Sequence, residues 1–227
     1  MTLNEILKEF GIELTDTQIA KFEKYFELLV DWNNKINLTA ITEYDEVLVK
    51  HFADSLIGFP FFKGRVLDVG AGAGFPSVPL AIAGVQNMVL LDSLEKRIKF
   101  LEVLKSELNL NYETVHSRAE DFGRGAGRES FDTVTARAVA NTSTLVEYLL
   151  PLLKVGGKAV IYKGGEIDEE LDEAKHAINV LGGKIEEVKK YSLVDLSRSI
   201  VIIEKIKPTP KAYPRVGNKP KTSPLKK

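Results

Sequence analysis

From Arg65 onward the sequence predicts an α/β fold of Rossmann-like type, with a seven-stranded, mostly parallel sheet, helices on both faces and an antiparallel hairpin at the end. Three observations predict it. Short β-rich runs recur at Val66–Val69, Met88–Leu91, Tyr112–Val115, Phe131–Thr135 and Ala159–Tyr162 with helical patterns between them, the order that builds parallel strands joined by crossover helices. Two further runs, Lys184–Ser192 and Ser199–Ile206, lie close together with no helix between them, so they should pair antiparallel. The first run also leads straight into a glycine-rich turn, as ligand-binding α/β sheets do.

The elements follow in three segments. Residues 1–62 read as a helical extension. Thr15 with Gln18 three positions on forms a capping box, and Ile19, Phe22, Phe26, Leu29 and Val30 then repeat at helical spacing. Trp32 ends that apolar face and reads as core. A polar turn, Asn33 to Thr39, precedes a second helical stretch from about Tyr44 to Ile57. Residues 63–206 form the α/β core, in which Leu94, Ile98, Leu101, Leu104 and Leu108 mark the clearest helix. Residues 207–227 are a tail with five prolines, expected to be extended or mobile unless RNA or the protein body holds it.

Composition narrows the function. The 227 residues include no cysteine, which excludes disulfides, thiolate metal sites and any cysteine nucleophile, and agrees with a reducing, cytoplasmic setting. No apolar run approaches the roughly 18 residues of a membrane helix, no metal site is indicated, and nothing calls for more than a monomer. The net charge of −1 hides an asymmetry: eight of the 31 basic residues and none of the 32 acidic ones fall in residues 205–227, a pattern that suggests a polyanionic partner.

The central motif is Val66-Leu67-Asp68-Val69-Gly70-Ala71-Gly72-Ala73-Gly74, followed by Phe75-Pro76 and an apolar stretch. Pro76 suits the first turn of a helix. Glycines let backbone turn sharply and approach a ligand closely. A dinucleotide fingerprint would be G-x-G-x-x-G. Here the third glycine comes one position early, and Phe75 stands where the fingerprint wants glycine. Asp68 would repel a pyrophosphate but suits a cofactor carrying an ammonium group, and Asp92, at the end of the next strand, is placed to accept bonds from ribose hydroxyls. Asp68, Gly70, Gly72, Gly74 and Asp92 therefore point to S-adenosyl-L-methionine, with S-adenosyl-L-homocysteine as product. Asp92 alone could instead cap the next helix, a role open to Ser93 as well. In the loop after the third strand, Glu120 is placed either to accept from the adenine amino group or to stand as a solvated charge.

The fourth strand runs to Thr135-Ala136-Arg137 and lacks the Asn/Asp-Pro-Pro-aromatic loop usual for methylation of exocyclic amines. Together with the missing cysteine, that favours an acceptor that is already nucleophilic. Guanine N7 is one, since its in-plane lone pair needs positioning but no general base. Arg137 is suited to guanine O6 and N7, to a phosphate, or to a salt bridge with a body carboxylate. His51, His116 and His176 are scattered, and no catalytic role is assigned to any of them. Arg118, Lys163, Arg198, Arg215, Lys219 and Lys221 are candidates for RNA phosphate contacts, each with a solvated surface charge as the alternative. Trp32 or Tyr213 could stack on a base. A methyltransferase for a protein or small molecule, and a non-catalytic RNA-binding protein, remain as competing functions.

The whole chain resembles the bacterial 16S ribosomal RNA guanine-N7 methyltransferase family of the glucose-inhibited division protein B type. The resemblance is carried by Trp32-Asn33 with Asn37-Leu38-Thr39-Ala40-Ile41, by His51-Phe52-Ala53-Asp54-Ser55-Leu56, and by the turn from Asp68 to Leu80. Leu91-Asp92-Ser93, Arg118-Ala119-Glu120, Phe131-Asp132 with Arg137-Ala138, Lys163-Gly164, and Tyr213-Pro214-Arg215 to Pro224-Leu225 extend it. It implies a class I methyltransferase fold and transfer of a methyl group to N7 of one guanine in small-subunit ribosomal RNA near the decoding region. It also implies that Gly70, Phe75, Ser93, Ala119, Glu120 and Arg137 hold the cofactor, and that 16S RNA or the small ribosomal subunit is the partner. Two positions depart from the family: Ser77 stands where glycine is common, and the tail has Val216 and Asn218 where a basic residue and a proline are expected.

Overall fold

A computed structural model describes residues 1–137 and 140–225. Ala138 of the Arg137-Ala138 pair, and Lys226 and Lys227 of the basic tail, lie outside the described residues. The chain forms one seven-stranded sheet in the order β3-β2-β1-β4-β5-β7-β6. Strands β1 (Val66–Val69), β2 (Met88–Asp92), β3 (Tyr112–His116), β4 (Phe131–Arg137) and β5 (Leu153–Gly164) run parallel, and β6 (Gly183–Leu193) and β7 (Leu196–Lys205) close the sheet antiparallel. Every strand expected from the sequence is present, most of them longer than the β-rich run that marks it.

The helical extension covers one face of the sheet. Thr2 caps α1 (Leu3–Leu7), and Thr15 caps the long α2 (Asp16–Ile36), each in a complete capping box. The second helical stretch is continuous but not regular: α3 (Tyr44–Val47) passes through a π-helical turn at Leu48–Ala53 into α4 (Asp54–Leu56). Such turns often mark functional sites, and this one carries Lys50 and His51 and leads into Asp54. Phe22, Tyr25, Leu29, Phe52 and Leu56 pack with α5 (Ser77–Ala83) and α6 (Glu95–Glu107) in one apolar core. Trp32 is half-buried against Phe100, with ring centroids 5.5 Å apart, so it belongs to that core. On the other face α7 (Ala119–Arg124), α8 (Thr142–Leu149) and α9 (Asp168–Val180) bury a second core that includes Leu145, Leu149, Ala174 and Ile178. No helix of the described residues is long and apolar enough to cross a membrane.

The tail is held by the body. Thr209 donates its hydroxyl to the Leu181 carbonyl at 2.7 Å, Arg128 donates to the carbonyls of Thr209 and Tyr213, and Arg124 donates to that of Pro214. Thr144 of α8 donates to the carbonyl of Pro220 in the short α10 (Lys219–Thr222). The strongest tie is ionic: Arg215 binds Glu147 with contacts of 2.7 and 2.9 Å, and the Glu147 side chain is wholly buried. A prolyl segment whose one regular element is the short α10 therefore stays in place through side-chain bonds that supply what backbone pairing does not.

Glu147 has Arg215 as its hydrogen-bonding partner for both carboxylate oxygens. Arg215→Ala should therefore strand a buried carboxylate and destabilise the fold by about 3 kcal/mol in urea titrations, with new protease cleavage between residues 208 and 222. An unchanged midpoint would contradict this account of the tail.

Candidate cofactor and substrate site

The chain builds β1, β2 and β3 in one direction and then returns to add β4 on the other side of β1, so a crevice opens at the carboxyl ends of β1, β2 and β4. Gly70 and Gly72 turn the chain there with φ of 74° and 58°, conformations that a side chain disfavours. A Cβ on Gly72 would meet nothing nearer than the Gly70 carbonyl oxygen at 3.7 Å, so the space in front of this glycine is open. Gly74 behaves differently from the expectation. A Cβ there would fall 2.7 Å from Tyr25 Oη and from Val78, so this glycine serves the packing of α2 on α5 and does not line the crevice.

Four backbone donors of the turn are already used. Gly70 and Ala71 donate to the Leu91 carbonyl, Gly72 donates to Asp92 Oδ2, and Gly74 donates to the Ala71 carbonyl. A pyrophosphate binds such a turn through free N–H groups, and these four are spent. Asp92, almost fully buried, accepts Leu94 N–H through Oδ1 at 2.9 Å and meets Arg97 at 3.3 Å through Oδ2. Helix α6 starts at Glu95 with no side-chain cap, so neither Asp92 nor Ser93 caps it.

Three connected cavities open along the crevice. One of about 440 Å³ is lined by Leu38, Thr39, His51, Gly70 to Ala73, Phe75, Asp92, Ser93, Arg97 and Arg137. A second of about 150 Å³ shares Gly70, Asp92 and Ser93 and adds Leu91, Arg118, Ala119, Glu120 and Tyr148. The third, about 310 Å³, shares His51 and Arg137 and adds Lys50, Asp54, Tyr162, Lys163 and Arg198. A separate cavity at Arg65, Asn87 and Glu113 lies at the opposite end of the strands, away from these groups.

Asp68 sits beneath the crevice, completely buried, and neither its carboxyl oxygens nor the nearby Ser77 hydroxyl make a hydrogen bond of good geometry. Burial pushes its pKa up to about 7, against the downward pull of Ser77 and of the Arg137 charge. An orphaned acid in the interior costs stability unless something pairs with it. Together with the open space at Gly72 and the Asp92 carboxylate where the first two cavities meet, it fits a nucleoside bearing an ammonium arm. The smaller cavity then offers the apolar Leu91 and the Glu120 carboxylate, which already holds Arg118 at 3.1 Å, to a base.

Arg137 ends β4 and joins these parts. It donates to Asp54 Oδ2 at 3.2 Å and to the Lys50 carbonyl at 3.1 Å, reaches His51 Nδ1 at 3.0 Å, and lies over the Phe75 ring. Asp54 is further held by Tyr191 at 2.9 Å and Arg198 at 3.5 Å. His51 stacks on Phe75 with centroids 4.4 Å apart. Its pKa is pushed down to about 3 by burial and by the Arg137 charge, so the ring has little affinity for a proton. Thr39, His51, Asp54, Arg97 and Tyr148 were not among the site residues read from the sequence. The only available signal for the first three was their place in the Asn37-Leu38-Thr39 and His51-Phe52-Ala53-Asp54 motifs.

The candidate RNA contacts divide. Lys163 is turned onto Glu170 at 2.7 Å and the Ala140 carbonyl, although it borders the third cavity beside Arg198. Arg118 reaches Glu120 and Asn218, and Lys219 and Lys221 are exposed on the tail. Arg215, expected at phosphate, is engaged by Glu147 instead, because a buried carboxylate needs the cation. Tyr213 packs on the second core.

Comparison with known proteins follows the same lines. The GidB family model, described as rRNA small subunit methyltransferase G, matches residues 18–201. The chain is 51% identical over 230 residues to the ribosomal RNA small subunit methyltransferase G of Lactobacillus johnsonii, covering 96% of each. It is 49% identical over 231 residues to the protein of that name from Staphylococcus aureus, covering 98% of this chain and 97% of the other. Among solved structures, cofactor-bound Rv0187 from MTB superposes with a TM-score of 0.56 at 14% identity, over 80% of this chain and 89% of that one. A Pyrococcus horikoshii TYW2 in complex with MeSAdo gives 0.55 at 17% identity, over 68% and 62%. These two share the fold. With the sequence match running from α2 into β7 and the glycine turn, Asp92 and Arg137 all inside it, the chain belongs to the GidB family of ribosomal RNA small subunit methyltransferases.

Proposed function

We propose that this protein transfers the methyl group of S-adenosylmethionine to N7 of one guanine in 16S ribosomal RNA near the decoding region, acting as a single chain in the cytoplasm. The observation that carries the reading is the pairing of two environments at Arg137: a nucleoside-shaped cleft on one side and a cation-rich pocket on the other. S-adenosylmethionine supplies an electrophilic methyl group. Asp92 takes the ribose hydroxyls, Glu120 and the backbone at Ala119 face the adenine edge, and Asp68 matches the ammonium. Gly70 admits the cofactor to the floor of the cleft, with Phe75 and Ser93 along its walls.

The acceptor pocket brings Arg137, Lys163 and Arg198 to one cavity with Asp54 between the arginines. Guanine presents O6 beside N7, so a guanidinium that donates to O6 holds the base while the N7 lone pair stays free, and the neighbouring cations suit the RNA phosphates. Attack by the N7 lone pair breaks the carbon–sulfur bond and forms the carbon–nitrogen bond. The positive charge passes from sulfur to the base, and no proton leaves. The reaction therefore asks the site for alignment. His51, which at a pKa near 3 has lost most of its basicity, is suited to a scaffold role and poorly suited to a general base. Cytosine C5 chemistry would need the cysteine this sequence does not have.

The decisive experiment is nucleoside mass mapping of small-subunit RNA from cells with and without the protein. One N7-methylguanine should be lost without it, and an unaltered map would refute the proposal. Gly70→Asp should abolish S-adenosylhomocysteine binding in calorimetry while the circular dichroism spectrum is retained, since its side chain would enter the cleft. The raised Asp68 pKa has a definite sign. Between about pH 4 and 7 the unfolded chain loses a proton that the folded one keeps, so this group lowers stability as pH rises through that window. Asp68→Asn should accordingly gain stability relative to the parent as pH rises from 4 to 7. In the parent, S-adenosylhomocysteine affinity should fall below pH 7, a slope that the Asn variant lacks.

A further inference from the structure

We propose that Arg137, His51 and Thr39 form a hydrogen-bond relay of fixed polarity that leaves the Thr39 hydroxyl as a donor to the carboxylate of the cofactor's amino-acid arm. The relay rests on the cofactor reading of the cleft, and its polarity follows from what each group is able to offer. A guanidinium has donors only. Arg137 Nη2 lies 3.0 Å from His51 Nδ1, so that nitrogen must be the acceptor. The Lys50 carbonyl, 3.1 Å from the same nitrogen, receives Arg137 Nη1 at 3.1 Å, and a bare Nδ1 leaves its own contact with that carbonyl without a hydrogen, a weaker conflict than an N–H set against the Arg137 cation. The opposite tautomer would set two donors against each other in the interior.

With Nδ1 bare, the imidazole proton is on Nε2, which stands 3.0 Å from Thr39 Oγ1. Thr39 Oγ1 also accepts the Ile41 N–H at 3.1 Å. A hydroxyl has two acceptor positions and one hydrogen. Both positions are filled, and the remaining hydrogen belongs to a side chain that lines the 440 Å³ cavity. Stacking on Phe75 holds the imidazole plane, and the low basicity of the ring agrees with a neutral imidazole carrying one proton.

The ligand group that meets this donor is set by charge. In the same cavity Arg97 and Arg137 outnumber Asp92, while the acid that matches an ammonium, Asp68, lies below the floor. The one anionic group of the cofactor is its carboxylate. His51 is thus a positioning residue and Thr39 a binding residue. The relay also ties the polarity of the cofactor pocket to Arg137, the group that faces the acceptor pocket.

Calorimetry of the parent, Thr39→Val and Thr39→Ser chains tests this with three ligands: S-adenosylhomocysteine, its decarboxylated analogue, which keeps the amine, and 5′-methylthioadenosine, which lacks both groups. Thr39→Val should weaken S-adenosylhomocysteine about tenfold or more and leave the two truncated ligands within about twofold, and Thr39→Ser should restore the parent affinity. Equal loss for all three ligands, no loss, or failure of serine to rescue would overturn the relay. Failure of the parent chain to bind S-adenosylhomocysteine would sink the cofactor reading itself, and the relay with it. Nitrogen-15 spectra of the parent imidazoles at neutral pH give a test that survives a misfolded variant. His51 should carry its hydrogen on Nε2 alone, and a proton on Nδ1 would refute the proposal.

Discussion

The contact of Arg137 with the π-helical turn at Leu48–Ala53 is the constraint on which the site depends. β4 delivers the guanidinium to the switch point of the sheet, and the helical extension meets it with Asp54, the Lys50 carbonyl and His51. A regular α-helix would place these groups at different angles. The wider turn lets a carboxylate, a carbonyl and an imidazole converge on one cation. Because Phe75 stacks beneath both Arg137 and His51, the glycine turn is fastened to the same point. The extension is therefore a wall of the cleft as much as a cover for the sheet.

The charges around that point offset one another in an order set by burial. Asp54 is shared by Arg137, Arg198 and Tyr191, so it holds two cations near each other without being solvated. His51 answers the same cation by remaining uncharged. Asp68 has no comparable partner, and its carboxyl retains a proton to unusually high pH. Buried groups of one chain thus take different answers to desolvation, namely pairing, neutrality and protonation.

The strands and the glycine turn after β1 are legible in the sequence because their signals are local. Strands alternate with helical periodicity, and the pattern from Asp68 to Asp92 lies on contiguous chain. Gly74 reads as part of the ligand turn because a glycine needed for a ligand and one needed for helix packing look alike until Tyr25 and Val78 are seen against it. His51, Thr39 and Asp54 were not read as site residues because their roles depend on Arg137, some eighty residues away or more, and no periodicity records that distance. In a basic tail Arg215 reads as a candidate phosphate contact or a solvated charge; its buried partner Glu147 is on a helix 68 residues earlier and carries no local sign of needing one.

The clamping of the C-terminal segment has a consequence for molecular encounter. Basic tails commonly behave as floppy lures that must surrender their freedom when a polyanion arrives. Here Lys219 and Lys221 sit on a short helical turn fastened to α8 through Pro220, and the nearby Arg215 is neutralised internally. The entropy of ordering this backbone is lost during folding, before any partner is met, so these two lysines extend from a segment that is already in place.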